Sequence, residues 1–159
     1  MYKIKRQEMS IEFGCEPVNE SFARVSVAAF AARLNPTIEE VSDIKTAVSE
    51  AVTNSIIHGY YNMNDGIIKV KCIIENDRLT ISVNDKGNGI ADIKKAMEPM
   101  YTTRPELDRS GMGFAFMQVF MDEISVESTP GEGTTVTMLK RITKEGILKE
   151  DSCTAVGYN

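Results

Sequence analysis

A two-layer α/β sandwich, a mixed and mostly antiparallel sheet with helices on one face, is predicted by three observations. Short runs alternate apolar and polar residues at the period of half-buried strands. Turn signals join them in neighbouring pairs, which makes hairpins rather than parallel crossovers. Two longer stretches carry helical periodicity with one apolar side.

In chain order, Met9, Ile11 and Phe13 alternate with Ser10 and Glu12 as a first strand, broken at Glu16-Pro17. Asn19 is the expected cap of a helix to Leu34, with Phe22, Val25, Ala29 and Ala32 on its apolar side and Arg24 and Arg33 on the other. Thr37 to Glu40 has the spacing of a capping box, so a second helix starts there and runs to Gly59. Its apolar stripe is Val41, Ile44, Val48, Ala51 and Ser55. A separate polar ridge carries Glu50, Asn54 and His58, four residues apart. Ile68 to Ile74 and Leu79 to Val83 form a hairpin about Asn76-Asp77, and Asp92 caps a short helix to Met97. From Glu98 to Ser110 no apolar period survives, which predicts a mobile loop over a site. Gly111-Met-Gly113 opens a helix to Met121, and Ile124 to Ser128 and Thr134 to Lys140 pair through Pro130 to Gly133.

Length and composition set limits on function. The chain has 159 residues, 42% of them hydrophobic, enough for one domain with a core. We expect a single domain over residues 1–141, followed by a disordered tail over 142–159 that is poor in large apolar residues. A net charge of -5 argues against nucleic-acid binding by charge and favours basic partner surfaces. No run approaches the roughly 20 apolar residues of a membrane span, and the polar opening is no signal peptide, so a cytoplasmic location without membrane contact is expected. Cys15, Cys72 and Cys153 lack metal or redox spacing and read as free thiols, with Cys72 in the core.

The polar residues suggest chemistry by type and order. A carboxylate one turn from an amide suits a magnesium-nucleotide site: Glu50 can take a proton while Asn54 holds a hard cation by its oxygen. Asp85-x-Gly87-x-Gly89 follows a strand, where glycines permit close backbone approach and the carboxylate can accept from an exocyclic amine. Gly111-x-Gly113 before a helix offers unpaired amides to phosphate. Gly133-Thr-Thr135 then opens the last strand.

That order, from Glu50 to Thr135, resembles the Bergerat-fold (GHKL) ATP-binding family, which includes gyrase, heat-shock protein 90, histidine kinases and the mismatch-repair ATPase. Asn19-Glu-Ser-Phe-Ala-Arg24, Glu50-Ala-Val-Thr-Asn54, Ile57-His-Gly59, Tyr101 to Leu107 and Arg109 to Phe114 are similar to the anti-sigma factor serine kinases of spore-forming bacteria, over Met9 to Lys140. The resemblance implies an ATP-dependent serine kinase with ATP or ADP and magnesium as ligands. Asn54 would hold the magnesium, Asp85 would read adenine, and Glu50 would be the general base. Gly87, Gly89, Gly111 and Gly113 would admit the nucleotide, with Thr103, Ser110 and Thr135 adding hydroxyl contacts. Arg104 would neutralise charge on the moving phosphoryl group. Arg24 would bind a protein partner. His58, the only histidine, reads on its own as structural packing beneath the site, since a phospho-accepting histidine sits in a separate helical hairpin that this sequence does not show.

The implied partners are an RNA polymerase sigma factor, held inactive, and an anti-anti-sigma antagonist phosphorylated on serine, with the chain a homodimer. ATP would favour the sigma complex and ADP the antagonist complex. Alternatives are a general-stress anti-sigma kinase for another sigma factor, a catalytically silent nucleotide-dependent binding module, against which Glu50 argues, and a histidine kinase catalytic fragment.

Overall fold

The computed structural model describes residues 5–98 and 113–143. The expectations for the 98–110 loop beyond Glu98, for Thr103, Arg104, Ser110 and Gly111, and for Cys153 and the tail from residue 144 fall outside these residues. Five strands, β1 (Gln7–Gly14), β2 (Ile67–Glu75), β3 (Arg78–Asp85), β4 (Glu123–Thr129) and β5 (Gly133–Arg141), form one sheet in the order β1-β2-β3-β5-β4. Every pairing is antiparallel, so among the described residues the sheet is not the mixed one expected. The hairpin signals account for β2–β3 and β4–β5, whereas β1–β2 and β3–β5 pair across longer connections. Helices α1 (Asn19–Ala31), α2 (Ile38–Asn54), α3 (Ile93–Ala96) and α4 (Gly113–Phe120) complete the element order, and α1, α2 and α4 make up the second layer.

Alternation along the strands separates the two faces. Ile68, Val70, Cys72 and Ile74 of β2, with Leu79, Ile81 and Val83 of β3, are buried toward the helices. Each such aliphatic side chain contributes about 1.5–3 kcal/mol on burial. The opposite face is polar, with Lys69 paired to Glu12 at 3.8 Å and Lys71 to Glu8 at 3.6 Å. Cys72 belongs to the core as expected, and burial pushes its thiol up to about 12.

The second helix begins as its sequence requires. Glu40 N–H donates to Thr37 Oγ1 at 3.1 Å and Thr37 N–H donates to Glu40 Oε1 at 3.0 Å, closing the capping box. Ile44, Val48, Ala51 and Ser55 are buried as predicted, and Val41, seven residues before Val48, lies half-buried at the edge of the same stripe, beside the space between α1 and α2. The helix does not continue regularly to Gly59. It ends at Asn54 and widens into a π-turn over Ser55–Gly59, closed by Tyr60 N–H to Ser55 C=O at 2.9 Å.

Two expectations for α1 need correction. Its buried residues are Ala23, Val27, Phe30 and Ala31, while Phe22 and Val25 are exposed. Periodicity in an alanine-rich helix leaves its phase open, because small residues fit either side. Phe22 instead meets Phe13 edge to face at 6.3 Å, across the mouth of the α1/β1 contact. Asn19 is not the cap: Val18 holds that position, and Asn19 Nδ2 donates to Gly14 C=O at 2.9 Å and to Glu16 Oε2 at 3.0 Å. The helix closes in a 3-10 turn over Ala32–Leu34, ended by Asn35 at φ 50°.

Packing continues two residues past the expected boundary at Arg141. Ile142 is buried and its N–H donates to Asp77 C=O at 2.9 Å, and Thr143 N–H donates to Glu40 Oε2 at 3.0 Å. A chain truncated after Arg141 is therefore expected to melt about 5–10 °C below one truncated after Thr143, from the lost isoleucine burial and the bond to Glu40. Coincident melting curves in calorimetry would remove the anchoring role of these two residues.

Candidate functional site

Glu50 and Asn54 lie one turn apart at the end of α2, on the side that meets α4, so their side chains are neighbours. Both converge on Gly113. A Cβ added there would lie 3.1 Å from Asn54 Nδ2, 3.2 Å from Asn54 Oδ1 and 3.2 Å from Glu50 Oε2. A side chain at position 113 would fill the cradle that the carboxylate and the amide share. Two oxygen donors of this kind suit a hard divalent cation. Among the described residues no group of three or more His, Cys, Asp or Glu could hold a metal by itself.

Asp85 ends β3 on the helix side of the sheet, opposite Thr134 in β5. The residue is 3% exposed. Ser55 Oγ donates to Oδ2 at 2.8 Å and Gly87 N–H donates to Oδ1 at 3.0 Å. Burial raises its proton affinity above the ordinary carboxylate range, and the bonds from Gly87, Ser55 and the Thr134 backbone pull the other way. The result is a buried acceptor held by groups from three elements, fit to take a hydrogen bond from a ligand amine.

Tight backbone packing seats this acidic turn against the π-turn. A Cβ on Gly87 would lie 2.0 Å from Gly59 C=O, and Asn88 N–H donates to that same oxygen at 2.8 Å. Gly133, at φ 120°, brings the start of β5 so near that a Cβ would lie 2.1 Å from Asp85 C=O. Tyr60, following the π-turn, donates to Ile67 C=O at 2.6 Å and accepts from Lys86 N–H at 2.7 Å. Burial raises its phenol above the usual value. Gly89, at φ 71°, packs on Thr129 C=O in the β4–β5 turn, a structural contact.

Comparison with known proteins places this arrangement. Residues 15–140 match the family model described as a histidine kinase-like ATPase domain. The chain belongs to that family. Relatives called "Anti-sigma F factor" are 62% identical over 134 residues in Thermoanaerobacter sp., covering 84% of this chain and 93% of that one. In Clostridium beijerinckii the identity is 58% over 134 residues, covering 84% and 94%. Among solved structures, the RsbU and RsbW domains of a Mycobacterium tuberculosis protein share the fold at a TM-score of 0.61 and 20% identity, over 86% of this chain and 32% of that one. The catalytic domain of the histidine kinase ThkA shares it at 0.55 and 16%, over 85% and 97%.

Within this histidine kinase-like ATPase domain the predicted residues separate into groups. Glu50, Asn54 and Gly113 meet in one cradle, and Asp85 and Gly87 form the second cluster, joined to α2 through the π-turn. Thr135 is placed elsewhere: its Oγ1 accepts from Asn84 Nδ2 at 2.8 Å on the open face of the sheet. Thr134, buried with Val136 and Met138, is the threonine on the site side. Arg24 is not among the contacts of either cluster; it lies beside α2 with Lys45 and Ser49, 3.8 Å from Glu20. His58 lies within the π-turn, where its C=O accepts from Asn88 Nδ2 at 3.4 Å.

Sequence reasoning missed Ser55 and Thr134. The alternation Thr134, Val136, Met138 would have put Thr134 on the core face. Ser55 carried no such signal, because its bond to Asp85 depends on the π-turn and on sheet register.

Proposed function

We propose that this chain is a sigma F-type anti-sigma factor of the sporulation class. It would be a dimeric, cytoplasmic, ATP-dependent protein serine kinase that binds and inhibits an RNA polymerase sigma factor and phosphorylates a serine of an anti-anti-sigma antagonist protein. The observation that carries the reading is the convergence of Glu50 and Asn54 on Gly113, in a chain aligned with nearly the full length of relatives bearing the anti-sigma F name.

Each residue then has a physical task. Asp85 accepts the exocyclic amine of adenine, held in place by Ser55 and Gly87. Glu50 accepts the proton of the substrate serine as its oxygen bonds to the γ-phosphorus and the bond to the β-phosphate oxygen breaks, releasing ADP. Magnesium, when bound through Asn54, supplies charge neutralisation on the phosphates. Gly113 keeps the cradle open, and Gly87 keeps the acidic turn seated on the π-turn. Thr134 takes the hydroxyl role first expected of Thr135. Thr103, Ser110 and Gly111 as nucleotide contacts, Arg104 as the charge-neutralising cation, and Arg24 as a partner contact remain part of the proposal by family resemblance.

Incubation with γ-labelled ATP, magnesium and candidate antagonist proteins is expected to label the antagonist on serine. ATP binding without any phosphoserine would favour a nucleotide-dependent binding module instead. Asn54→Ala is expected to remove most of the magnesium-dependent gain in ATP affinity, read by calorimetry with and without the metal. An unchanged gain would take Asn54 out of the cation site.

A further inference from the structure

Asp85 is the last residue of β3 to pair with β2, where it stands opposite Ile68. One step further in the same register Lys86 would stand opposite Ile67. The ladder does not take that step, and the Tyr60 hydroxyl lies between the two residues instead. It donates to Ile67 C=O at 2.6 Å and accepts from Lys86 N–H at 2.7 Å. A single phenol oxygen thus takes up a donor and an acceptor that face each other across the two strand ends.

Tyr60 is itself fixed. It is 4% exposed, and its N–H closes the π-turn on Ser55 C=O at 2.9 Å. Its ring rests on the backbone of Gly66, where a Cβ would lie 2.5 Å from Cγ and Cδ1. The same π-turn supplies contacts to Asp85. Ser55 Oγ donates to its Oδ2 at 2.8 Å, and a Cβ on Gly59 would lie 3.0 Å from the carboxylate atoms. Ser55, Gly59 and Tyr60 therefore hold the carboxylate and the amide that follows it as one unit. Beyond Lys86 the chain bends, so that Gly87 N–H reaches Asp85 Oδ1 at 3.0 Å and Asn88 N–H reaches Gly59 C=O at 2.8 Å. A ladder closed at Lys86 would draw this turn away from both bonds.

We propose that Tyr60 is the positioning residue for base recognition: its hydroxyl ends the β2–β3 ladder at Asp85 and frees the acidic turn to aim the carboxylate at an amine-bearing base. This role rests on the reading in which Asp85 accepts the adenine amine. Tyr60 is buried and its hydroxyl is engaged on both sides, so it acts on the ligand through Asp85 and not by contact. Phenylalanine in its place keeps a ring on Gly66 and removes only the oxygen, which leaves Ile67 C=O and Lys86 N–H to bond each other.

Calorimetry on the full chain compares ATP with purine riboside triphosphate, which lacks the 6-amine. Tyr60→Phe is expected to weaken ATP binding about 10-fold, the scale of one misdirected bond to a charged group, and to leave the amine-free nucleotide within about 2-fold. In an Asp85→Asn background the same substitution should change ATP affinity by less than about 2-fold, because both changes remove one interaction. Equal weakening of both nucleotides, an unchanged ATP affinity, or full additivity with Asp85→Asn overturns the proposal. A parent chain without preference for ATP over the amine-free nucleotide sinks the Asp85 reading and the role of Tyr60 with it, whereas a preference that survives Tyr60→Phe sinks the role of Tyr60 alone. Hydrogen exchange reads the bond in the parent without any variant. The Lys86 amide should exchange at least about 100-fold more slowly than an unprotected amide, and exchange at the unprotected rate overturns the proposal as well.

Discussion

Glu50→Gln is expected to lower serine phosphorylation by about 100- to 10,000-fold, the usual cost of losing a general base, while ATP affinity stays within a few fold. The amide has the shape of the carboxylate and can occupy the same place beside Gly113 and Asn54. It cannot accept the proton of the substrate hydroxyl. Single-turnover phosphorylation measures the chemical step and calorimetry measures binding. A retained rate would remove Glu50 from the role of base. A lost affinity with a retained rate at saturating ATP would move it to the cation site.

Asp85→Asn separates function from stability in the opposite way. The carboxylate should contribute a charge-assisted bond to the adenine amine, worth about 1.5–3 kcal/mol, so the variant is expected to bind ATP about 10- to 100-fold more weakly. It should not melt lower at neutral pH. Burial raises the Asp85 proton affinity in the folded chain above its unfolded value. The ionised form is therefore disfavoured by folding: the parent loses stability as pH rises from near 4, the unfolded carboxylate value, through the raised folded value, and stays lower above it. An uncharged amide escapes that cost, while Ser55 and Gly87 can still bond to it. The variant should match or exceed the parent in melting temperature at pH 7, with the difference shrinking toward pH 4. A lower melting temperature at pH 7 would show that the bonds to the carboxylate outweigh its burial.

This opposition is common where a buried polar group is kept for a ligand rather than for the fold. Asp85 is held among Ser55, Gly87 and Thr134, a set assembled from the π-turn, the acidic loop and β5. Gly87 and Gly133 matter for the same reason, because a Cβ at either would strike backbone and separate those elements. Substitution there is expected to disturb the ligand site and the packing together, which makes these glycines poor probes of chemistry alone.

Much of the fold was legible locally. Strand alternation, the hairpin turn at Asn76 and the capping box at Thr37 each depend on residues only a few positions apart, and each is found where expected. Phe22 and Val25 were placed inside because helical period gives spacing without phase, and Asn19 was made a cap because its type suits one. For Phe22 and Val25, packing against elements distant in sequence decided the phase, whereas Asn19 is taken up by Gly14 and Glu16, five and three residues away.

The sequence by itself determined a two-layer α/β class with a mostly antiparallel sheet, the start of α2, and the pairing of Glu50 with Asn54, since helical rise and strand period are properties of a few consecutive residues. Only the tertiary structure decided that Gly113 stands against both of them, that Ser55 reaches Asp85, and that Thr134 rather than Thr135 faces the site. Those contacts join elements through sheet register and a single π-turn. A one-residue change in either would redirect side chains without altering the local pattern from which they were first read.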